Sequence, residues 1–244
     1  MTNLAVSEII RCKMSANLYC KPGAVLLSSL STLQPAPVYV MGLNPGGDPQ
    51  HITTPIIDFI APPDGTSAYT HECWQPLCTE AQPCRHLAED GSTRPEFLVR
   101  HQRNMIALAA TFGATPATLF SANAVFARST RKSKLREQTG LNLWEWWAAC
   151  WPVHQYFLAI VRPRLIVTLG YGRNSSAFGL LQAQSGGEPA QPIADERRLG
   201  GWQFPVELDL GTDRKLPTIV AGVPHPSYFA PGPLLRSSLA QMVH

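Results

Sequence analysis

Short apolar runs alternate along this chain with longer stretches of helical periodicity. Val38-Tyr39-Val40-Met41, part of 118–126, residues 165–169 and Thr218-Ile219-Val220-Ala221 are runs of strand length with little polar interruption. Such continuous runs mark strands buried on both faces. Between them, apolar residues recur at three- and four-residue spacing over 97–112, 143–161 and 175–181, which predicts helices. The stretch 233–243 begins with proline and repeats apolar residues at the same spacing, so it reads as a terminal helix. Strands alternating with helices predict an α/β fold: three α/β/α layers around a mostly parallel, four-stranded central sheet. No linker or internal repeat divides the chain, so residues 1–244 read as a single domain.

Two segments depart from this alternation. Residues 60–96 are rich in Pro, Cys, His and Thr and read as an irregular insertion. Residues 184–215 carry Gly186-Gly187 and Gly200-Gly201, and 202–210 partly alternate, which predicts a loop and an edge hairpin. The 143–161 helix holds Trp144, Trp146, Trp147 and Trp151. Core packing is the default reading of those rings, which supply large apolar area.

Composition narrows the class. An apolar fraction of 45% with 15% charge fits a core-forming globular protein. No apolar run is long enough to span a bilayer. Glu8 interrupts the apolar stretch near the start, unlike a secretory signal, so a cytoplasmic protein is expected. Six irregularly spaced cysteines do not form a disulfide framework. The net charge of +3 says little about partners, but its distribution says more. From Phe97 to Arg136 there is no Asp or Glu, while Arg100, Arg103, Arg128, Arg131, Lys132, Lys134 and Arg136 all fall there. That stretch suits a polyanion or an ordinary solvated loop.

In an open α/β sheet, the loops at the carboxyl ends of the strands meet at the ligand crevice. Gly42-Leu43-Asn44-Pro45-Gly46-Gly47 follows the first apolar run and His225-Pro226-Ser227 follows the last. Taken alone, Asn-Pro-Gly is a turn and His-Pro a loop. Their order, with Ser121-Ala122-Asn123-Ala124-Val125 and Leu165-Ile166-Val167-Thr168-Leu169-Gly170 between them, resembles the uracil-DNA glycosylase superfamily. The likeness is to its mismatch-specific and single-strand-selective monofunctional branches. It covers the sheet framework and leaves 60–96 unexplained.

The resemblance implies hydrolysis of the bond between deoxyribose and uracil, or a related damaged pyrimidine, flipped out of DNA. Breaking that bond leaves positive charge on the sugar and negative charge on the base, so a site must hold water on one side and stabilise an anion on the other. The Asn44 amide oxygen can accept from that water and orient it. Pro45, Gly46 and Gly47 tighten the turn, and Gly42, Leu43, Pro45 and Gly46 are expected to line the substrate. His225 is expected to donate to a carbonyl of the leaving base, with Ser227 beside it. Asn123 has donor and acceptor faces that complement the N3–H and O4 edge of uracil. Phe59 is implied as the stacking partner of the extruded base, with Tyr69 the second choice. Tyr228 and Phe229 occupy the segment where related enzymes insert an apolar wedge. Arg128, Arg131 and Lys132 are expected to meet DNA phosphates.

His71, Cys73, Cys78, Cys84 and His86 are dense enough to raise a metal, but their spacing fits neither common zinc nor iron–sulfur arrangements. No metal or other cofactor is expected. No lysine stands out as a Schiff-base nucleophile, so strand cleavage is not expected either. The partner is DNA, without a membrane, and the chain is expected to act as a monomer. Two other readings stay open: a non-catalytic nucleic-acid-binding relative, and a nucleotide-binding enzyme using Gly170-Tyr171-Gly172 as a phosphate loop. The second lacks the last glycine, which is Ser175 here, and the acidic residue of the fingerprint.

Overall fold

Val38 and Val40 face one side of the first strand, Tyr39 and Met41 the other, and all four are buried. A strand whose two faces are both buried needs helices on both sides of its sheet. The computed structural model, which describes residues 3–72, 87–187, 189–193, 200–211 and 214–243, has that arrangement. In chain order its elements are α1 (Asn3–Lys13), α2 (Ala16–Tyr19), β1 (Val38–Gly42), α3 (Ala68–His71), α4 (Arg100–Ala110), β2 (Ser121–Asn123) and α5 (Leu135–Thr139). They continue with α6 (Leu143–Val161), β3 (Leu165–Leu169), α7 (Ala177–Gln184), β4 (Gln191–Pro192), β5 (Trp202–Asp209), β6 (Lys215–Val223) and α8 (Pro233–Gln241).

The strands form one sheet in the order β2-β1-β3-β6-β5-β4. Neighbours among β2, β1, β3 and β6 pair in parallel. Against one face pack α1, α6 and α7, through Val6, Ile10, Trp146, Phe157 and Leu181 onto Tyr39, Met41, Ile166 and Val220. Against the other pack α4 and α8, through Met105, Leu108, Leu235 and Leu239 onto Val38, Val40, Val167 and Ala221. The predicted α/β layering is therefore present. The expected four-stranded sheet is corrected to a mixed six-stranded one, because β5 pairs antiparallel with β6 and β4 antiparallel with β5. The predicted edge hairpin is thus part of the main sheet. Phe204, Val206 and Leu208 alternate with exposed or half-buried positions and bury their face in the α6–α7 core.

Other boundaries moved for local reasons. Pro95 starts a separate 3-10 turn, so α4 begins at Arg100. The N-terminal helix α1 had no counterpart among the expected helices, although Val6, Ile10 and Met14 recur at four-residue spacing and are buried. Trp146, Trp147 and Trp151 are core residues as expected, while Trp144 is exposed. The insertion is more ordered in part than its composition implies. Ser67 caps α3, and Tyr69 on that turn is buried against α4. Residues 73–86 lie outside the described residues.

Candidate active site

From β1 the chain goes to β2 on one side and then to β3 on the other, so strand order reverses at β1. The carboxyl end of such a strand opens a crevice. Asn44 follows β1, Asn123 ends β2, Gly170 follows β3 and His225 follows β6. β1 and β6 are two strand spacings apart, about 10 Å.

The Asn44 loop is built as an extension of the sheet. Ala124 N donates to Gly42 O and Val125 N to Leu43 O, both at 2.8 Å. Gly42 pairs with Asn123, and a Cβ on Gly42 would lie 3.3 Å from Asn123 Oδ1, so glycine lets the two strand ends close up. Gly47 takes φ +98°, a conformation glycine adopts freely. Pro45 is buried, and the Arg128 guanidinium donates to Gly46 O. Asn44 Nδ2 donates to Pro45 O and to Ser129 Oγ, each at 3.0 Å. A carbonyl oxygen only accepts, so the amide nitrogen must face Pro45 O. Its Oδ1 receives no hydrogen bond from any described residue and is available to water.

Asn123 is buried at the carboxyl end of β2, 2% exposed. Its backbone N donates to Val25 O at 2.9 Å, and its Nδ2 donates to Ala24 O at 3.3 Å. One amide N–H is thereby engaged, leaving the other and the Oδ1 lone pairs. Val25 N in turn donates to Phe59 O at 3.4 Å, so half-buried Phe59 is one chain segment away from Asn123. Behind the strand end, buried His154 on α6 joins Tyr39 Oη (2.8 Å) and Ala124 O (3.0 Å). A carbonyl accepts only, so Nε2 carries the proton and Nδ1 takes the tyrosine's. Burial lowers the pKa of His154 to about 4, against the opposing pull of its backbone acceptors.

At the other end, α4 holds the His225 turn. Asn104 Nδ2 donates to Pro226 O at 2.6 Å, Arg100 Nη1 to Tyr228 O at 3.4 Å, and His101 Nδ1 meets Ser227 Oγ at 3.1 Å. Ser227 N donates to His225 Nδ1 at 3.2 Å. That bond makes Nδ1 the acceptor and leaves the proton on Nε2, which meets no described partner. Burial lowers the His225 pKa, so the ring is a neutral donor near pH 7. Its ring lies edge-on to His101, centroids 5.2 Å apart, and His101 stacks on Tyr69 at 5.7 Å. Burial first, and the neighbouring His225 second, bring the His101 pKa down to about 3. Ser227 is thus held between two histidines, and Tyr69 acts as a support beneath His101.

Ser129 and His101 were not among the sequence candidates. One signal was available: His101, Asn104, Met105 and Leu108 share the inward face of α4, so two polar side chains interrupt an apolar stripe. The basic segment follows the Asn44 loop closely. Arg131, Lys132, Lys134 and Arg136 are exposed, Lys132 Nζ donates to Asn174 O at 3.1 Å, and Lys134 pairs with Glu137 at 2.7 Å. Tyr228 and Phe229 are 69% and 43% exposed with ring centroids 6.4 Å apart, beside His225.

Ser176 Oγ accepts from Gly179 N and donates to Gly172 O, while a Cβ on Gly179 would strike the Arg173 carbonyl. The N-cap of α7 is thus supplied by its own chain. Gly170 backs the candidate site, its Cβ position 4.0 Å from His225 Cδ2. Of the proposed metal set, Cys73, Cys78, Cys84 and His86 lie outside the described residues. His71 is hydrogen-bonded to Thr70 Oγ1 at 2.8 Å. A concavity of about 660 Å³ lined by Arg164, Glu207, Thr218 and Met242 lies elsewhere and includes none of these site residues.

No protein-family model matches the chain, and no curated protein matches it.

Proposed function

We propose that this protein is a monofunctional DNA glycosylase that hydrolyses the N-glycosidic bond of uracil, or of a related damaged pyrimidine, flipped out of DNA. One observation carries the reading. At the carboxyl ends of β1 and β6, two strand spacings apart on the same edge of the parallel sheet, stand an amide oxygen with no donor among the described residues (Asn44 Oδ1) and a neutral imidazole N–H with no acceptor among them (His225 Nε2). That pair matches the demands of glycosidic cleavage. Asn44 Oδ1 accepts from a water and orients it toward the anomeric carbon, while His225 Nε2–H donates to a base carbonyl as negative charge develops. A neutral donor suits a leaving group that departs as an anion and needs no proton.

Asn123, buried at the end of β2 on the side of β1 away from His225, offers its remaining N–H and Oδ1 to the base edge. Phe59 is the ring candidate for its face, and Gly42, Leu43, Pro45 and Gly46 supply the close backbone wall. Exposed Arg131 and Lys132, with half-buried Arg128 beside them, would meet phosphates flanking the extruded nucleotide, and Tyr228 and Phe229 would meet the strand it left.

The test is incubation with uracil-containing oligonucleotides, single-stranded and mispaired, followed by alkali to reveal abasic sites. Release of uracil in the presence of a chelator and without added nucleotide is expected. Failure on every substrate, with DNA binding retained, would favour the non-catalytic nucleic-acid-binding alternative.

A further inference from the structure

Ser129 is almost fully buried, 1% exposed, within an exposed stretch that includes Thr130, Arg131 and Lys132. Its three polar contacts explain the burial. Its backbone N donates to Pro45 O at 3.3 Å, its Oγ donates to Arg131 O at 3.2 Å, and its Oγ accepts from Asn44 Nδ2 at 3.0 Å. The Arg131 carbonyl can only accept, so it fixes where the hydroxyl proton points. The hydroxyl lone pairs are thereby turned to Asn44, where an amide N–H is attracted and an amide oxygen repelled.

We infer that Ser129 is a positioning residue, holding the Asn44 amide so that Oδ1 rather than Nδ2 faces the crevice. An asparagine amide has nearly the same shape in both orientations, and only its hydrogen-bond partners tell them apart. Pro45 O is a second such partner, but it belongs to the adjacent residue on the same loop. Ser129 comes from another part of the chain and ties the loop to the basic segment. A flipped amide would present two donors to the water and could not accept its hydrogen bond. The inference rests on the proposed role of Asn44, yet the hydrogen bond itself can be measured without any turnover.

The experiment combines single-turnover kinetics with exchange of the Asn44 side-chain amide protons, assigned as the resonances lost in Asn44→Ala. In the unmodified protein these protons should exchange more slowly than those of a free asparagine. Ser129→Ala should accelerate that exchange, slow uracil release roughly tenfold and leave DNA affinity within about twofold. Ser129→Thr, which keeps a hydroxyl, should restore both. Free-asparagine exchange in the unmodified protein would overturn the inference even if Ser129→Ala does not fold. Unchanged exchange and rate in a folded Ser129→Ala would overturn it as well. If the protein releases no uracil but Ser129→Ala still frees the amide, the hold on Asn44 stands and the glycosylase reading falls.

Discussion

His154 and His101 are neutral because water is kept from them, with pKa values near 4 and 3 against the ordinary 6.5. The unfolded chain takes up protons on these rings below pH 6.5 that the folded chain refuses until about pH 4 on His154 and about pH 3 on His101. Stability is therefore fully present above pH 6.5 and is lost as pH falls. The slope is about 1.4 kcal/mol per pH unit for each histidine within that window. Urea denaturation between pH 7 and 4.5 should show it, and His154→Phe should remove one histidine's share of the slope whatever it does to absolute stability. At the site, His225→Ala removes the proposed anion donor, and uracil release should slow by roughly 10²–10³ on the oxyanion-hole scale. Asn44→Ala should slow the chemical step comparably while leaving affinity for uracil-containing DNA largely intact. Single-turnover rates equal to the unmodified protein's in both variants would reduce the two residues to turn formers.

Two helices set how rigidly the site is held. α6 starts with a reciprocal cap: Asn142 Oδ1 accepts from Trp144 N and Glu145 N, and Glu145 Oε2 accepts from Asn142 N at 2.7 Å. That cap fixes where a helix carrying buried Trp146, Trp147 and His154 begins. Asn142→Ala should cost about 1 kcal/mol and lower Tm by roughly 2–4 °C, read by calorimetry, with little effect on turnover. α4 acts on the site directly. Asn104→Ala leaves the Pro226 carbonyl without its 2.6 Å donor in a buried place, a loss of about 1–3 kcal/mol. Because the same turn carries His225, that change should slow uracil release as well as destabilise. A stability loss with unaltered kinetics would show that α4 only packs against the turn.

Over the whole molecule, a net charge of +3 hides a basic segment that emerges beside the Asn44 loop. Arg128 contacts Gly46 O and Lys132 contacts Asn174 O, so this segment runs from the loop after β1 to the loop after β3. Phosphate contacts there should make DNA affinity fall with salt. Each lost contact should flatten the log–log slope by roughly 0.7 to 0.9. Changing Arg131 and Lys132 together to Ala should lower the slope by up to about twice that in a salt titration. An unaltered slope would leave the segment as a solvated loop. No described helix is long and apolar enough to cross a membrane.

Local pattern was enough to determine the parallel core strands, the layered α/β class and the placement of Asn44 and His225 after strands. Continuous apolar runs require burial on both faces, and strand ends in such a sheet face one crevice. The mixed edge was only half legible, since alternation in 202–209 reveals a half-buried strand but not which strand it pairs with. The roles of the histidine and serine supports were not legible, although His101 interrupts the apolar stripe of α4. His101 looks like one residue of an amphipathic helix, and Ser129 like one residue of a basic loop. Their roles depend on contacts with Ser227 and Asn44, 126 and 85 positions away along the chain. Short-range periodicity carries no information about such pairs. The orientation of the Asn44 amide and the tautomer of His225 belong to the same class, because each is decided by which partner the folded chain brings within hydrogen-bonding distance.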